Sequence, residues 1–234
     1  MSKVAVITGG TKGIGKAIAV KFASQKFDIV TCSRHPDELA ALQKYLELTY
    51  SIKAYVFKAD LSVRSEVKGF TDFVTGLGKA VDVVVNNAGF FAPGLVTEEK
   101  EGTLESMVEA NVYSAYYTTR GLLMAMKSRK TGHIFNMCSI ASIKAYPNGG
   151  SYTISKFALL GFSKVLREEL KDHHIRVTAV LPGATRTSSW DGVDLPEERF
   201  IKPEDVANAI FGAYSLSPNS VVEEILIRPQ LGDI

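Results

Sequence analysis

Seven short apolar segments alternate with longer amphipathic segments along this chain, and the alternation restricts the fold more than any other feature. Segments such as Val83–Val85 are apolar without a break, which is typical of strands covered on both faces. The predicted strands are Lys3–Ile7, Asp28–Ser33, Ile52–Lys58, Val81–Asn86, His133–Cys138, Arg176–Leu181 and Val222–Ile227. The predicted helices are Gly15–Ser24, Pro36–Thr49, Arg64–Leu77, Leu104–Lys127, Tyr152–Lys171 and Pro203–Tyr214. We therefore expect an α/β fold with a doubly wound sheet of about seven parallel strands and helices on both faces.

The length of 234 residues suits a single domain spanning 1–234. A formal net charge of +2, with 22% charged residues, gives no reason to expect nucleic acid or a membrane surface as a partner. No apolar run approaches the ~18 residues of a membrane span, and we see no signal peptide. Cys32 and Cys138 each lie in an apolar run without metal-ligand spacing, so we predict buried free thiols, no metal and a cytoplasmic location.

A glycine-rich turn joins the first predicted strand to the first predicted helix, with the sequence Thr8-Gly9-Gly10-Thr11-Lys12-Gly13-Ile14-Gly15. Glycines there allow positive φ and let the backbone approach a bound group closely. The helix that follows offers unpaired N–H groups and a positive dipole end, which suit a pyrophosphate. The spacing differs from the common Gly-x-Gly-x-x-Gly fingerprint, and an ordinary tight turn is the alternative. Its place after a buried strand favours a nucleotide site.

The end of the second strand indicates which nucleotide is bound. An acidic residue there bonds the ribose 2′-hydroxyl of NAD, whereas a nearby Arg accommodates the 2′-phosphate of NADP. This chain has Ser33 and Arg34 at that point, and Lys12 adds a second cation from the glycine turn. Two solvated surface cations are the alternative, but together they favour NADP(H). Asp37 and Glu38 follow at the start of a helix, where acids stabilise the N-terminus.

Tyr152 and Lys156 lie four residues apart in a helical pattern and therefore on one helix face. A nearby ammonium favours the ionised phenol, so we expect Lys156 to lower the pKa of Tyr152 toward neutrality, where acid–base catalysis is efficient. Ser139, just past a predicted strand, is placed to hold a substrate oxygen beside that phenol. The alternative is a solvated Lys beside a half-buried Tyr.

Six motifs in this order give the chain a whole-length resemblance to the short-chain dehydrogenase/reductase family, whose fold is of the Rossmann type. They are Thr8-Gly-Gly-x-x-Gly-Ile-Gly15, Asp60-Leu61, Asn86-Asn-Ala-Gly89, Asn111, Ser139 with Tyr152-x-x-x-Lys156, and Pro182-Gly183. The resemblance implies that Tyr152 is the general acid, that Lys156 lowers its pKa and bonds the nicotinamide ribose, and that Ser139 orients the carbonyl. It implies that Asn111 supports a water-linked proton relay, although a satisfied polar residue within a long helix is the alternative.

The same resemblance implies a set of cofactor-binding residues along the cleft. Asp60 and Leu61 would flank the adenine, although Asp60 could instead cap the next helix. Thr187 would hold the nicotinamide carboxamide, with Thr185 as a neighbour. The complete expected set is Gly9, Thr11, Lys12, Gly13, Ile14, Gly15, Ser33, Arg34, Asp60, Leu61, Asn87, Ala88, Gly89, Tyr152, Lys156, Pro182, Gly183, Thr185 and Thr187.

These features predict an NADPH-dependent reductase that converts a small-molecule ketone or an oxoacyl carbonyl to the secondary alcohol. A polar stretch near 185–201 is expected to form a substrate lid. In it, Trp190 could stack on a flat heteroaromatic substrate while Asp191 bonds ring nitrogens, which would suit a sepiapterin-type pteridine reductase. Alternatively, Trp190 only packs the lid as a hydrophobic anchor.

A non-catalytic NADP(H)-sensing regulator is the alternative of another class, but such a protein would be expected to lose Tyr152 or Lys156. Family resemblance also implies a homotetramer, and a homodimer is possible. The residues that support association are apolar ones on the two long helices: Tyr113, Tyr116, Tyr117 and Phe162.

Overall fold

A single parallel sheet forms the centre of the computed structural model, which describes residues 2–234. Its strands are β1 (Val4–Thr8), β2 (Asp28–Ser33), β3 (Ala54–Lys58), β4 (Val81–Asn86), β5 (Gly132–Met137), β6 (Ile175–Pro182) and β7 (Glu224–Ile227). Every neighbouring pair is parallel, as the unbroken apolar segments predict. The Rossmann-type prediction for the fold is confirmed.

Helices follow the strands in alternation. They are α1 (Gly13–Ser24), α2 (Pro36–Tyr50), α3 (Arg64–Gly76), α4 (Thr103–Val108), α5 (Ser114–Arg129), α6 (Gly150–Leu170) and α7 (Pro203–Ser215). Within residues 2–234, no helix combines the length and the apolar character needed to cross a membrane.

The strand order is β3-β2-β1-β4-β5-β6-β7, so the chain reverses its direction of growth between β1 and β4. In open parallel sheets, ligands bind at such a switch point, outside the carboxyl ends of the strands. The turns after β1 and β4 both open there. The order of the strands alone therefore places the glycine turn beside the Asn86–Gly89 segment.

Alternate residues of the strands enter hydrophobic cores on the two opposite faces of the sheet. Val83 and Val85 pack with α1 and α7 residues such as Phe22 and Ile210 on one face of the sheet. Val84 belongs to the other face, where residues of α3, α5 and α6 complete the core. Burial on both faces fixes the register, because a slip by one residue would exchange the two sets.

The predicted helix Leu104–Lys127 is the main difference in secondary structure. It is divided into α4 and α5 by a π-helical turn, Glu109–Tyr113. Turns of this type are rare in proteins, and those that occur are often at functional sites. This one contains Asn111, and nothing in the apolar periodicity distinguishes it from a continuous helix.

Candidate active site

A cleft of about 1010 Å³ opens at the switch point and brings nearly all of the predicted site residues together. The whole predicted cofactor set lines it, as do Ser139 and Trp190. Asn111 and Asp191 are not among the lining residues. Residues from six strand ends therefore meet in one space, as expected for a parallel sheet.

The glycine turn leaves the N-terminus of α1 open toward the cleft. α1 has no side-chain cap on its first N–H groups, and its first turn contains no acidic residue. Gly13 has a φ of 51°, and a Cβ on Gly15 would lie 2.3 Å from the Gly9 carbonyl oxygen. Both glycines are needed for the local backbone, and the free N–H groups suit an anion.

The two turns at the switch point are hydrogen-bonded to each other. The Thr8 hydroxyl accepts from the backbone N–H groups of Asn87 and Ala88, each at 2.9 Å. The Asn87 side chain donates to the carbonyl oxygens of Thr8 (2.9 Å) and Gly9 (3.1 Å). Asn87 thus fixes the glycine turn, while Asn86 is buried and donates to Thr119 and Asn136.

The two predicted phosphate-binding cations each face a carboxylate. Lys12 Nζ lies 2.7 Å from Glu38 Oε1, and Arg34 lies 4.0 Å from Asp60. The hydrogen bond from Lys12 holds the pKa of Glu38 below its ordinary value. Glu38 also lines the cleft. It therefore pairs with Lys12 in addition to stabilising the N-terminus of α2, the role that its position in the sequence indicates.

Asp60 shapes the turn between β3 and α3. Its Oδ1 accepts from the backbone N–H of Ser62 at 3.0 Å and from the Ser62 hydroxyl at 2.7 Å. Although burial opposes it, bonding to Ser62 holds the pKa of Asp60 below the ordinary value. The cap of α3 is Val63, without a side-chain cap bond, so Asp60 does not cap that helix.

Lys156 is buried beneath the centre of the cleft. Its Nζ donates to the backbone carbonyl of Met137 at 2.7 Å and lies 5.6 Å from the centre of the Tyr152 ring. Burial lowers the pKa of Lys156 to about 8. The solvated-lysine alternative is therefore wrong.

The pKa of Tyr152 differs from the expectation drawn from its spacing to Lys156. Burial raises this pKa above the ordinary value, and a hydrogen bond involving Ser139 only partly opposes the increase. The expectation of a near-neutral phenol is thus wrong for this arrangement. The physical reason is that helix spacing fixes the face that two side chains share but not the direction in which each one points. Here the Lys156 ammonium points to the Met137 carbonyl.

Ser139 begins a short 3₁₀ turn, Ile140–Ser142, at the end of β5. Its hydroxyl accepts from the N–H of Ala141 at 3.1 Å, and its own N–H donates to Ser142. The reciprocal bonds hold the Ser139 side chain at the cleft beside Tyr152. Neighbouring Cys138 is a buried free thiol whose pKa is raised by burial, which opposes a nucleophilic role.

Asn111 is buried and connects three segments around the site. Its Oδ1 accepts from the Phe90 N–H at 2.9 Å, and its Nδ2 donates to the Phe90 carbonyl and to Ser155 Oγ at 3.1 and 3.0 Å. Its side chain thereby ties the π-helical turn to the residue preceding Lys156. These bonds agree with the alternative that Asn111 is a buried polar residue whose hydrogen bonds are satisfied. Its part in a proton relay stays a prediction.

Glu99 holds the N-terminal end of α6, the helix that carries Tyr152. Its Oε1 accepts from the Ser151 N–H at 2.9 Å, and its Oε2 accepts from the Ser151 hydroxyl. A carboxylate is favourable at this positive end of the helix. Sequence reasoning did not identify Glu99, because it lies 52 residues from Ser151 in an irregular loop.

Two of the threonines after β6 have different surroundings. Thr185 is buried, donates to the Gly183 carbonyl at 3.0 Å and pairs with Ile201, so it holds the base of the lid. Thr187 lies against the glycine turn, with its methyl carbon 3.1 Å from the position of a Cβ on Gly13. The segment thus crosses the cleft next to the cofactor turn.

Trp190 lies on the lid and packs edge-to-face on Phe200, with ring centroids 5.2 Å apart. This contact supports its prediction as a hydrophobic anchor. Asp191 is exposed and is not among the residues that line the cleft, and its bond to a substrate stays a prediction. The aromatic ring against the Tyr152 phenol is that of Phe91, and the two ring centroids are 4.8 Å apart.

Sequence reasoning missed several further residues that line the cleft. Phe91 and Tyr146 are apolar walls near Tyr152, and burial raises the pKa of Tyr146 to about 12. Asp233 and Ile234 reach the cleft from the segment after β7. The only available signal was proximity in sequence, for Phe91 after Asn86–Gly89 and for Tyr146 between Ser139 and Tyr152.

The family model described as short chain dehydrogenase matches residues 3–197. The chain therefore belongs to the short-chain dehydrogenase family, as its motifs predict, and it is an oxidoreductase of that family.

Three relatives illustrate the range of chemistry within the family. A sepiapterin reductase of Chlorobaculum tepidum is 31% identical over 242 residues, covering 100% of this chain and 99% of the relative. A diacetyl reductase [(S)-acetoin forming] of Staphylococcus epidermidis is 34% identical over 208 residues, covering 88% and 79%. An alcohol dehydrogenase from the archaeon Thermococcus sibiricus, solved with 5-hydroxy-NADP, superposes with a TM-score of 0.92 at 28% identity, covering 98% and 97%.

Proposed function

We propose that this oxidoreductase uses NADPH to reduce a small-molecule ketone to the secondary alcohol. The observation that carries the proposal is the meeting of Ser139, Tyr152 and Lys156 in the same cleft as the glycine turn. Relatives that act on sepiapterin and diacetyl support reduction of a carbonyl group.

The residues of the cleft fit NADP(H). The open N-terminus of α1 would bind the pyrophosphate, because its N–H groups have no side-chain cap. Arg34 and Lys12 would bind the 2′-phosphate, and Arg34 is suited to this by its planar fork. The solved relative with 5-hydroxy-NADP supports the same choice of cofactor.

The side chains divide the chemistry between binding and proton transfer. NADPH supplies the hydride when bound. Ser139 donates a hydrogen bond to the carbonyl oxygen and stabilises the negative charge that develops there. Tyr152 gives that oxygen its proton, and a raised phenol pKa suits a group that must hold a proton until reduction. Lys156 provides a positive charge below Tyr152 as the phenolate forms.

The walls near Tyr152 favour a compact, neutral carbonyl substrate. Phe91 and Tyr146 are aromatic. Aromatic walls bind flat or apolar groups on either side of a ketone. We therefore place small ketones and diketones before oxoacyl thioesters.

A sepiapterin-type reductase is the second candidate. The whole-length match to the Chlorobaculum tepidum enzyme favours it. In this candidate, Phe91 rather than Trp190 would stack on the heteroaromatic ring of the substrate, because Phe91 contacts Tyr152 whereas Trp190 packs on Phe200.

The test is a panel assay that follows the loss of NADPH absorbance with diacetyl, aryl ketones, an acetoacetyl thioester and sepiapterin. Turnover of at least one carbonyl is expected, and Tyr152→Phe should abolish it while retaining NADPH binding. A fully active Tyr152→Phe protein would contradict the assignment. NADPH binding without turnover of any substrate would instead favour the sensing regulator, a role that family membership and the intact Tyr152 and Lys156 oppose.

We also propose self-association through α5 and α6. Exposed apolar side chains there include Phe157 (47%) and Val165 (55%) on α6, and Tyr113 (50%) ends the π-helical turn directly before α5. A second copy of this chain would cover them, as a homodimer or homotetramer. Light scattering of the wild type and of Phe157→Glu measures the state, and an unchanged mass would contradict the assignment of this surface. The two buried thiols support a reducing compartment such as the cytoplasm.

A further inference from the structure

The substrate half of the cleft is enclosed by three segments that are remote in sequence. The turn after β5 contributes Lys144, the lid contributes Trp190, and the segment after β7 contributes Asp233. We call these three segments, residues 140–146, 185–201 and 228–234, the substrate walls. Their relative positions decide the shape of the space beside Tyr152.

Asp233 bonds to all three substrate walls. Its carboxylate accepts two hydrogen bonds from the Arg228 guanidinium, one of them from Nε at 3.0 Å, within its own segment. Lys144 Nζ lies 3.5 Å from Oδ2. The backbone carbonyl of Asp233 accepts from Arg199 at 3.2 Å, which joins the lid. One residue thus connects segments separated by as many as 89 positions.

The charges at this junction are unbalanced. Two cations, Arg228 and Lys144, face the Asp233 carboxylate, whose pKa is held below its ordinary value first by the hydrogen bonds from Arg228, while Arg199 donates to the Asp233 backbone carbonyl. The carboxylate is only partly exposed. Without its negative charge, the cations would repel each other at close range, and the substrate walls would separate.

A chain of contacts runs from Asp233 to the indole on the lid. Arg199 ends a short 3₁₀ turn next to Phe200, and Trp190 packs on the Phe200 ring. Arg186 lies over the same ring and donates to the Trp190 carbonyl at 3.2 Å. Movement of Arg199 should therefore change the exposure of Trp190.

The cofactor half of the cleft has its own ionic contacts. Lys12 pairs with Glu38 and Arg34 with Asp60, and neither pair shares a partner with Asp233. A change at Asp233 should thus act on the substrate half alone.

We propose that Asp233 is a positioning residue that holds the three substrate walls together and thereby sets the affinity for the carbonyl substrate but not for the cofactor. This proposal rests on the proposed reductase function for the kinetic part of its test. The fluorescence part does not depend on it.

The kinetic experiment compares Asp233→Asn with the wild type on the best substrate of the panel. The KM for the carbonyl should rise about tenfold, the usual scale for loss of a charged hydrogen-bonded group. Both kcat and the KM for NADPH should stay within about twofold, since binding rather than chemistry is affected. Asp233→Glu, which keeps the carboxylate, should recover part of the affinity. Asp194→Asn is the matched control, because it removes an exposed carboxylate of the lid that is outside the cleft lining.

The structural experiment uses Trp190, the one tryptophan in the sequence, as a reporter of the lid. Acrylamide should quench its fluorescence more strongly in Asp233→Asn than in the wild type or in Asp194→Asn. A lower melting temperature with an unchanged KM for the carbonyl and unchanged quenching would mean a purely structural role and would overturn the proposal. A wild type without any turnover would contradict the reductase function, and the quenching comparison would still decide the role of Asp233.

Discussion

Replacing Lys156 by Met should stabilise the protein at neutral pH while abolishing its activity. Lys156 is only 7% exposed, and burial lowers its pKa from 10.5 to about 8. A difference of about 2.5 pKa units corresponds to roughly 3 kcal/mol, at 1.36 kcal/mol per unit. The folded protein is destabilised by this amount at every pH at which Lys156 is charged in both the folded and the unfolded state.

The pH dependence follows from the direction of the pKa change. Below about pH 8 both states are protonated, so the full cost is present. Between about pH 8 and 10.5 the unfolded chain binds more protons than the folded one, and stability therefore rises with pH. This contribution should stabilise the wild type by about 2 kcal/mol between roughly pH 7 and 9.5. The Met variant lacks it.

Urea unfolding of both proteins across this pH range measures the difference. Loss of the hydrogen bond to the Met137 carbonyl and changes in packing shift the free energy of unfolding by the same amount at every pH. The test is therefore the slope of this free energy against pH rather than its value at one pH. Lys164→Met, at a largely exposed position of the same helix, controls for the change to an apolar side chain. A stability difference between the wild type and Lys156→Met that stays constant from pH 7 to 9.5 would refute the reasoning.

Two further substitutions test the cofactor half of the cleft. Glu38→Gln frees Lys12 from a partly exposed ion pair, a contact worth up to about 1 kcal/mol, so the ratio of kcat/KM for NADPH over NADH should rise by up to about fivefold. Asp37→Asn, at an exposed position on the same helix turn, should leave the ratio unchanged, and an equal response of both variants would exclude a specific role for Glu38. Gly15→Ala should destabilise the protein and weaken NADPH binding at least tenfold, because its Cβ would lie 2.3 Å from the Gly9 carbonyl oxygen. Gly212→Ala, a helical position with open space, should instead stabilise by about 0.5–1 kcal/mol, and equal thermal shifts for the two alanines would contradict the packing argument.

The sheet and the cofactor half of the cleft were predictable from sequence because their determinants are local. An unbroken apolar run such as Val83–Val85 indicates a strand with both faces covered, and the strand order then follows from few possible connections. The glycine turn, Arg34 and Asn87 each lie within a few residues of a strand end. Because all strands are parallel, every carboxyl end reaches the same edge, and local signals are sufficient to assemble them.

The electrostatic details were not predictable for a different reason. The spacing in the sequence shows that Tyr152 and Lys156 lie on one helix face. It does not show that Lys156 donates to the backbone carbonyl of Met137. Glu38 likewise has the position of an ordinary helix stabiliser, and only the three-dimensional contact shows its pairing with Lys12. A side chain with four or more rotatable bonds selects its partner from the whole neighbourhood, which the sequence does not list.

The substrate half was beyond sequence reasoning because no local pattern encodes it. Phe91, Tyr146 and Asp233 come from three loops, and their meeting depends on the entire sheet. Trp190 shows the consequence: its residue type suggested stacking on a substrate, yet Phe200 is a partner already available within the lid. Because loops tolerate change better than the elements they connect, one proposed proton-transfer site can serve different carbonyls. The substrate must therefore be established by testing those walls directly, with Phe91 and Asp233 as the residues whose replacement should change selectivity without changing the cofactor.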